Sequence, residues 1–451
     1  MMPVKKSKSH ISILISWKLI LLLPAFFSCI SLFAQEDSVS IPEIIFIRAY
    51  GSQGETSPPI IYLENNRNPA PLLSNDFATI EFDVKSENQP VIFAEFVHCS
   101  MTWEEDGDLN DIEYFRTNLV EWYTPTLTSE IYTHRGYIDF PNSQVYLPYG
   151  GNWKIKLYND SGEKEFLGEA RFFVVDKKTN ANINIYKDFY SPDYNISPSA
   201  LTFEVQVFGE NDLFESKMKT IVLYRNNRWQ EPFYVTEEED YIALNNDKFR
   251  YKFKYMVGGF IKAGKKFRIE RIPAENGYRV LEMQSTAYFP RITTPIRLPM
   301  SDWRRTGSTI DYGDEGAMIT HHIREIDDDY LLIDFLFNTD GWRADNEMYI
   351  SGSFNNWDPT PYWQMHWDEE RRMYRGQFWI RRARHSYLYC TGRWSEFYRK
   401  MNKIAYDEFE GNTIQSGHTF IALIYYKEFF YGGYDSIIGV AAENIFGTIN
   451  R

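Results

Sequence analysis

Apolar and polar residues alternate with a period of two through most of the chain. In WKIKLY, Trp153, Ile155 and Leu157 share one face and Lys154 and Lys156 the other. TFEVQVF repeats this with Phe203, Val205 and Val207, YKFKYMV with Tyr251, Phe253 and Tyr255, and IDFLFN with Ile333, Phe335 and Phe337. Such alternation predicts half-buried strands, and turn sequences such as NDSG and ENGY separate them. Helical periodicity is scarce, with short helices expected only near residues 108–118 and 401–409. The pattern predicts an all-β chain of about three consecutive immunoglobulin-like β-sandwich modules. Two polar stretches, 176–182 (DKKTNAN) and 299–317, read as linkers. They divide the chain into modules at 36–178, 179–300 and 301–451.

The first 34 residues read differently. Lys5, Lys6, Lys8 and Lys18 precede and enter an apolar stretch that ends in small residues at Ser31 and Ala34. This is the pattern of a secretory signal peptide, and the stretch is short for a membrane span. Cys29 stands in FFSC, a poor lipobox. Removing the four signal lysines from 48 basic residues, against 62 acidic ones, leaves a net charge of −18. That charge argues against nucleic acid or an anionic lipid surface as a partner. Cys99 and Cys390 remain after cleavage. They fall in different modules, and whether they pair is open.

Candidate chemistry is sparse. In EEDGDLND, Asp106, Asp108 and Asn110 fit positions one, three and five of a calcium loop. Asp111 stands where glycine is needed and Thr117 where glutamate is needed, so a solvated loop is the better reading. His321 and His322 are adjacent and would point to opposite faces of a strand, without a completed zinc pattern. IDDDY, residues 326–330, reads as a turn before the strand YLLIDFLF. No nucleophile elbow, phosphate loop or zinc-protease motif occurs, so we expect neither an enzyme nor a cofactor or metal.

One stretch carries more information. In SGSFNNWDP, residues 351–359, Gly352 suits a bend, Asn355 and Asn356 a turn, and Trp357 falls at the strand end. A second tryptophan, Trp394, follows in HSYLYCTGRW. The pair resembles the glycogen- and starch-binding modules of branching enzymes and of energy-sensing kinase regulatory subunits. That resemblance implies a sugar-stacking platform of Trp357 and Trp394 with Asn355. Leu388 occupies the place where those modules commonly carry a lysine. The other reading, which we favour, has Trp357 buried at the end of the sandwich core.

A broader resemblance runs in order from about residue 40 to 440. IYTHRGYIDFPN, YGGNWKIKLYND, ARFFVVD and VIFAEFVHCSMTW, with His98, Cys99 and Trp103, resemble the first module of the Plug proteins of the Bacteroidota type IX secretion system. FEGNTIQSGHTFIALIYYKEFFYGGYDSIIG resembles their C-terminal segment, with Gly433 where the family has arginine. The resemblance implies a periplasmic protein at the inner face of the outer membrane. It would seal the periplasmic end of the secretion translocon barrel without inserting into the membrane. Tyr425, Tyr426, Tyr431, Tyr434 and Asp435 are the candidate contacts, aromatic rings being common at interface hot spots. The alternative is an exported glycan-binding protein using Trp357 and Trp394.

Overall fold

The computed structural model describes residues 42–445, apart from 64–76, 110–114, 126–128, 161–163, 210–215, 243, 262–263, 293, 311–313 and 431. The expected signal peptide, Asn110 and Tyr431 therefore lie outside the described residues. Among these, regular structure is almost entirely strand, as the alternation predicts. WKIKLY lies within Gly151–Asn159, TFEVQVF within Ser199–Phe208 and IDFLFN within Tyr330–Asn338. YKFKYMV enters its strand only at Lys254.

Four sheets build the molecule. The first orders Glu43–Gly51, Ala78–Lys85, His134–Phe140 and Glu121–Tyr123. The second is a long wall of Phe233–Thr236, Thr220–Arg225, Thr419–Lys427, Asp435–Asn444, Glu165–Val175, Gly151–Asn159, Ile92–Cys99 and Arg116–Thr117, with Ile60–Tyr62 beside Glu165–Val175. The third orders Ala181–Phe189, Ser199–Phe208, Gly264–Pro273 and Lys254–Ile261. The fourth folds on itself: Arg279–Glu282, Arg384–Ser395, Glu347–Gly352, Gln364–Asp368, Met373–Arg381, Tyr330–Asn338 and Ile296–Arg297, with two short strands alongside.

The long wall serves two sandwiches at once. One stretch of it closes a core with the first sheet, around Phe82, Phe96, Trp153 and Phe172. Another closes a core with the third sheet, around Phe203, Leu223, Phe267 and Phe420. Its reverse face is apolar too. Cys99, Phe173, Tyr224 and Tyr425 point there and are covered by Met101, Trp103 and Trp229. Strands buried on both faces read as continuous apolar runs, and Thr220–Arg225 is buried at every position.

The strand pairing does not follow chain order. Thr419–Lys427 and Asp435–Asn444 lie in the long wall, between Thr220–Arg225 and Glu165–Val175. They do not join the sandwich that holds SGSFNNWDP. Their physical reason is burial on two faces: Phe420, Ala422 and Ile424 enter one core while Ile421, Leu423 and Tyr425 enter the other cluster. The stretch 176–182 is no free tether either, since Asp176 and Lys178 donate backbone N–H groups to Ile437 and Ile438. The described residues accordingly cluster as one compact unit.

Three local expectations differ from the structure. Residues 401–405 pair as a strand with Arg384–Ser395, and the helix is confined to Asp407–Glu410. Near 108–118 the described elements are a 3₁₀ turn at Gly107–Leu109 and the short strand Arg116–Thr117. His321 and His322 sit in a turn with ring centroids 3.7 Å apart, because no strand forms there to separate them.

Candidate functional site

The motif SGSFNNWDP is where the sandwiches meet. Asn355 locks the turn from inside. Its Oδ1 accepts the Gly352 N–H at 2.9 Å and its Nδ2 donates to the Ile350 carbonyl at 3.1 Å. Gly352 is extended, so its role is not a bend; a Cβ there would sit 2.6 Å from the Ser386 carbonyl oxygen. Asn356 and Trp357 then take left-handed conformations, φ 52° and 58°. For a residue other than glycine this costs about 1–2 kcal/mol. The turn throws Trp357 outward from its own sandwich core, into a separate cluster with Tyr278, Tyr349, Leu388 and Tyr406.

Trp357 is 1% exposed. Its Nε1–H donates to the Gly316 carbonyl at 2.8 Å, and its ring centroid lies 4.8 Å from that of Tyr278. Arg228, which follows the long-wall strand Thr220–Arg225, is sandwiched between Trp357 and Tyr406, at 5.1 and 4.4 Å from the ring centroids. Its guanidinium is paired with Glu231 and Glu275. Glu275 is itself held down to about 2: burial would raise its carboxyl, but Arg225 and Arg228 more than offset this. The sugar platform is therefore not formed. Trp357 is covered by protein, Asn355 is consumed by its own turn, Leu388 is buried, and Trp394 is half-buried against the same cluster. The favoured burial of Trp357 holds, but it is burial between sandwiches rather than at the end of one core. The cleft beside it holds about 90 Å³, well below the roughly 300 Å³ of a small-molecule site.

Next to Trp357, Asn356 donates from Nδ2 to the Ile47 carbonyl of the first sheet at 2.7 Å. This contact borders a second junction. Glu81 and Asp83, on Ala78–Lys85, meet Arg48, Arg135 and Arg381. Arg48 Nε and Arg381 Nη1 each donate to Glu81 at 2.6 Å. Arg135 bridges Asp83 to Asp328. Tyr330 donates its hydroxyl to Asp83 Oδ2 at 2.7 Å. Burial would raise the Glu81 carboxyl, but Arg381, Arg48 and Arg135 hold it well below the usual range. The sequence reading missed these residues. In TIEFDVK, Glu81 and Asp83 look like the solvent face of a half-buried strand, and no local signal separates a solvated acid from one facing arginines hundreds of residues away. IDDDY does form a turn before a strand, and Asp328 within it belongs to this junction.

The C-terminal candidates divide. Tyr425 is buried and donates its hydroxyl to Asn152 Oδ1 at 2.6 Å. Asp435 is buried, accepts the Met101 N–H at 3.0 Å and pairs with Lys427 at 2.8 Å. Tyr426 is buried against the second core. These three are packing residues, because their strands are central rather than marginal. Tyr434 is half-buried, edge-on to His98 and Tyr149. Among the described residues, the exposed rings of this hairpin are Phe429 and Phe430. Cys99 and Cys390 are free and buried. Asp106 turns to His98 Nδ1 at 3.1 Å, and no cluster of metal-ligating side chains occurs among the described residues.

Residues 46–176 match the type 9 secretion system plug protein 1st domain. The chain thus resembles the type IX secretion plug family. The matched stretch contains all of the first sheet but the start of Glu43–Gly51, the adjoining half of the long wall, and Arg48, Glu81, Asp83 and Arg135. A crystal structure of a hypothetical protein from Parabacteroides merdae ATCC 43184 superposes with a TM-score of 0.69 at 19% identity, over 89% of this chain and 97% of that one. At that identity the likeness speaks for the fold alone. A search of the curated proteins finds no match. The plug domain ties the chain to type IX secretion and to the cell envelope. No helix among the described residues is long and apolar enough to cross a membrane.

Proposed function

We propose that this chain is a periplasmic plug that closes the inner end of the outer-membrane translocon barrel of the type IX secretion system. The observation that carries the reading is the plug first domain at residues 46–176. Two features agree with it. Occluding a wide pore needs a body that does not flex open between modules; buried ion pairs cross one junction here, and at the other Arg228 packs between Trp357 and Tyr406. The one sugar-binding motif in the sequence is occupied internally, consistent with a fold reused as a building block. We further propose that the chain is exported by cleavage of its first 34 residues and that it performs no catalysis.

The test is affinity purification of the tagged full chain from native outer membranes. The barrel protein should co-purify as the major partner. Recovery of the chain without it, from membranes that contain it, contradicts the reading.

A further inference from the structure

Exposed aromatic rings and unpaired positive charge coincide at one hairpin. Arg384–Ser395 turns back into Lys400–Ala405, with Ser395 opposite Lys400 and Trp394 opposite Met401. Residues 396–399 form the turn between them. Phe397 in this turn is 86% exposed, the most exposed large apolar side chain among the described residues, and Tyr398 beside it is 65% exposed. Their rings meet edge to face, with centroids 4.8 Å apart. At the base, Trp394 is half-buried against the cluster of Tyr349, Trp357 and Met401, so the turn stands on packed strands.

The charge here runs against that of the chain. Residues 393–403 set four cations, Arg393, Arg399, Lys400 and Lys403, against one acid, Glu396, a net charge of +3 in a chain that carries −18 without its signal lysines. The contacts of these cations among the described residues are to neutral groups. Arg393 Nε donates to Asn346 Oδ1 at 2.9 Å and Lys403 Nζ to the Asn246 carbonyl. Lys400 Nζ lies 5.2 Å from the Tyr398 ring centroid, and Arg399 is exposed. Glu347, at the base of the hairpin, is engaged by the Tyr349 hydroxyl, which donates to it at 2.7 Å.

We propose that the turn at 396–399 is a membrane-contact tip, which seats Phe397 and Tyr398 among the headgroups of an anionic phospholipid bilayer with Arg399 and Lys400 against the phosphates. Aromatic rings favour the bilayer–water interface, and cations beside it are drawn to anionic lipid within about a Debye length. The charge of the whole chain disfavours laying a broad face on such a surface, so contact is confined to this tip. A protein partner fits less well. Scaled by their exposure, the two rings offer about 300 Å², against the roughly 800 Å² per partner of a stable interface. The residues that flank them are charged, whereas interface centres are depleted of charge. The tip lies outside residues 46–176 and needs no barrel to bind lipid.

The test is flotation of the chain, purified without its first 34 residues so that their apolar stretch cannot itself bind lipid. The vesicles are phosphatidylcholine alone, or phosphatidylcholine with about one third phosphatidylglycerol, in about 0.1 M and about 0.5 M salt. Binding should be at least about tenfold stronger to the anionic vesicles and should weaken at the higher salt. Phe397→Ser with Tyr398→Ser should reduce it at least about tenfold, and so should Arg399→Glu with Lys400→Glu. All four side chains are exposed, so both double variants should keep the melting temperature of the parent. Either pair decides the question if the other fails to fold. Absence of binding to both vesicles, equal binding to both, or anionic binding that a folded double variant retains overturns the proposal. Loss of a co-purifying protein in these variants, without vesicle binding by the parent, assigns the tip to a protein partner and overturns it as well.

Discussion

Replacing Trp357 with alanine tests the docking role of the motif. Truncating a buried aromatic costs about 3–5 kcal/mol. Three local features place this site at the upper end. The Gly316 carbonyl loses its indole donor, and an orphaned buried acceptor costs about 1–3 kcal/mol. Tyr278 loses an aromatic neighbour, a contact of about 0.5–1.5 kcal/mol. Arg228 loses one of the two rings that enclose its guanidinium. These contributions overlap and do not add, and relief of the left-handed backbone at position 357 is not expected, since alanine is no better suited to it. We expect a loss of about 4–5 kcal/mol, measured by urea titration followed by intrinsic fluorescence and far-ultraviolet circular dichroism. Trp357→Phe keeps a ring and removes the Nε1–H bond, so it should lose about 1–2 kcal/mol. Titration of the wild type with maltoheptaose should give no binding heat. A Trp357→Ala protein as stable as the wild type, with glucan binding lost from a wild type that had it, refutes the argument.

Gly316 has φ 78°, and a Cβ would lie 3.2 Å from the Trp357 indole; Gly316→Ala should destabilise by about 1–3 kcal/mol in the same assay. Arg135→Met leaves Asp83 and Asp328 with only their longer contacts to Arg381, at 4.0 and 3.5 Å, and should cost about 3–5 kcal/mol, with faster proteolysis between the first and last sandwiches. Burial holds the His418 imidazole down to about 4 and that of His385 to about 3. Each takes up protons in the unfolded chain below about 6.5, so stability should fall as pH drops from 6.5, by about 2 kcal/mol per histidine at pH 5. An unchanged urea midpoint between pH 7 and 5 contradicts this. Burial pushes the Cys99 thiol up to about 12 and raises that of Cys390, so neither should react with a thiol reagent at pH 8 until the protein is unfolded.

The strands were legible because period-two alternation has a direct geometric cause, and Trp153, Phe203 and Phe335 all face cores as the pattern requires. Their assignment to sheets was not. Nothing local to Thr419–Lys427 says that it pairs with Thr220–Arg225 rather than with the strands just before it; two-sided burial is the only hint, and YYK at its end reads equally as an exposed aromatic patch. The motif at 351–359 was visible as a motif, and its turn residues behave as their chemistry suggests. What covers Trp357 was not visible, because Arg228, Tyr278 and Gly316 come from other parts of the chain. The same distance in sequence hid the junction of Arg48, Glu81, Asp83, Arg135 and Arg381.

Occlusion itself is measured most directly by outer-membrane permeability to a large antibiotic in strains lacking this chain, the barrel, or both. An open wide pore passes solutes regardless of their chemistry. Loss of the chain alone should sensitise the cells, loss of both should restore resistance, and re-expression of the chain should restore it in the single mutant. Unchanged permeability in the single mutant, or sensitisation that persists when the barrel is also absent, contradicts the account.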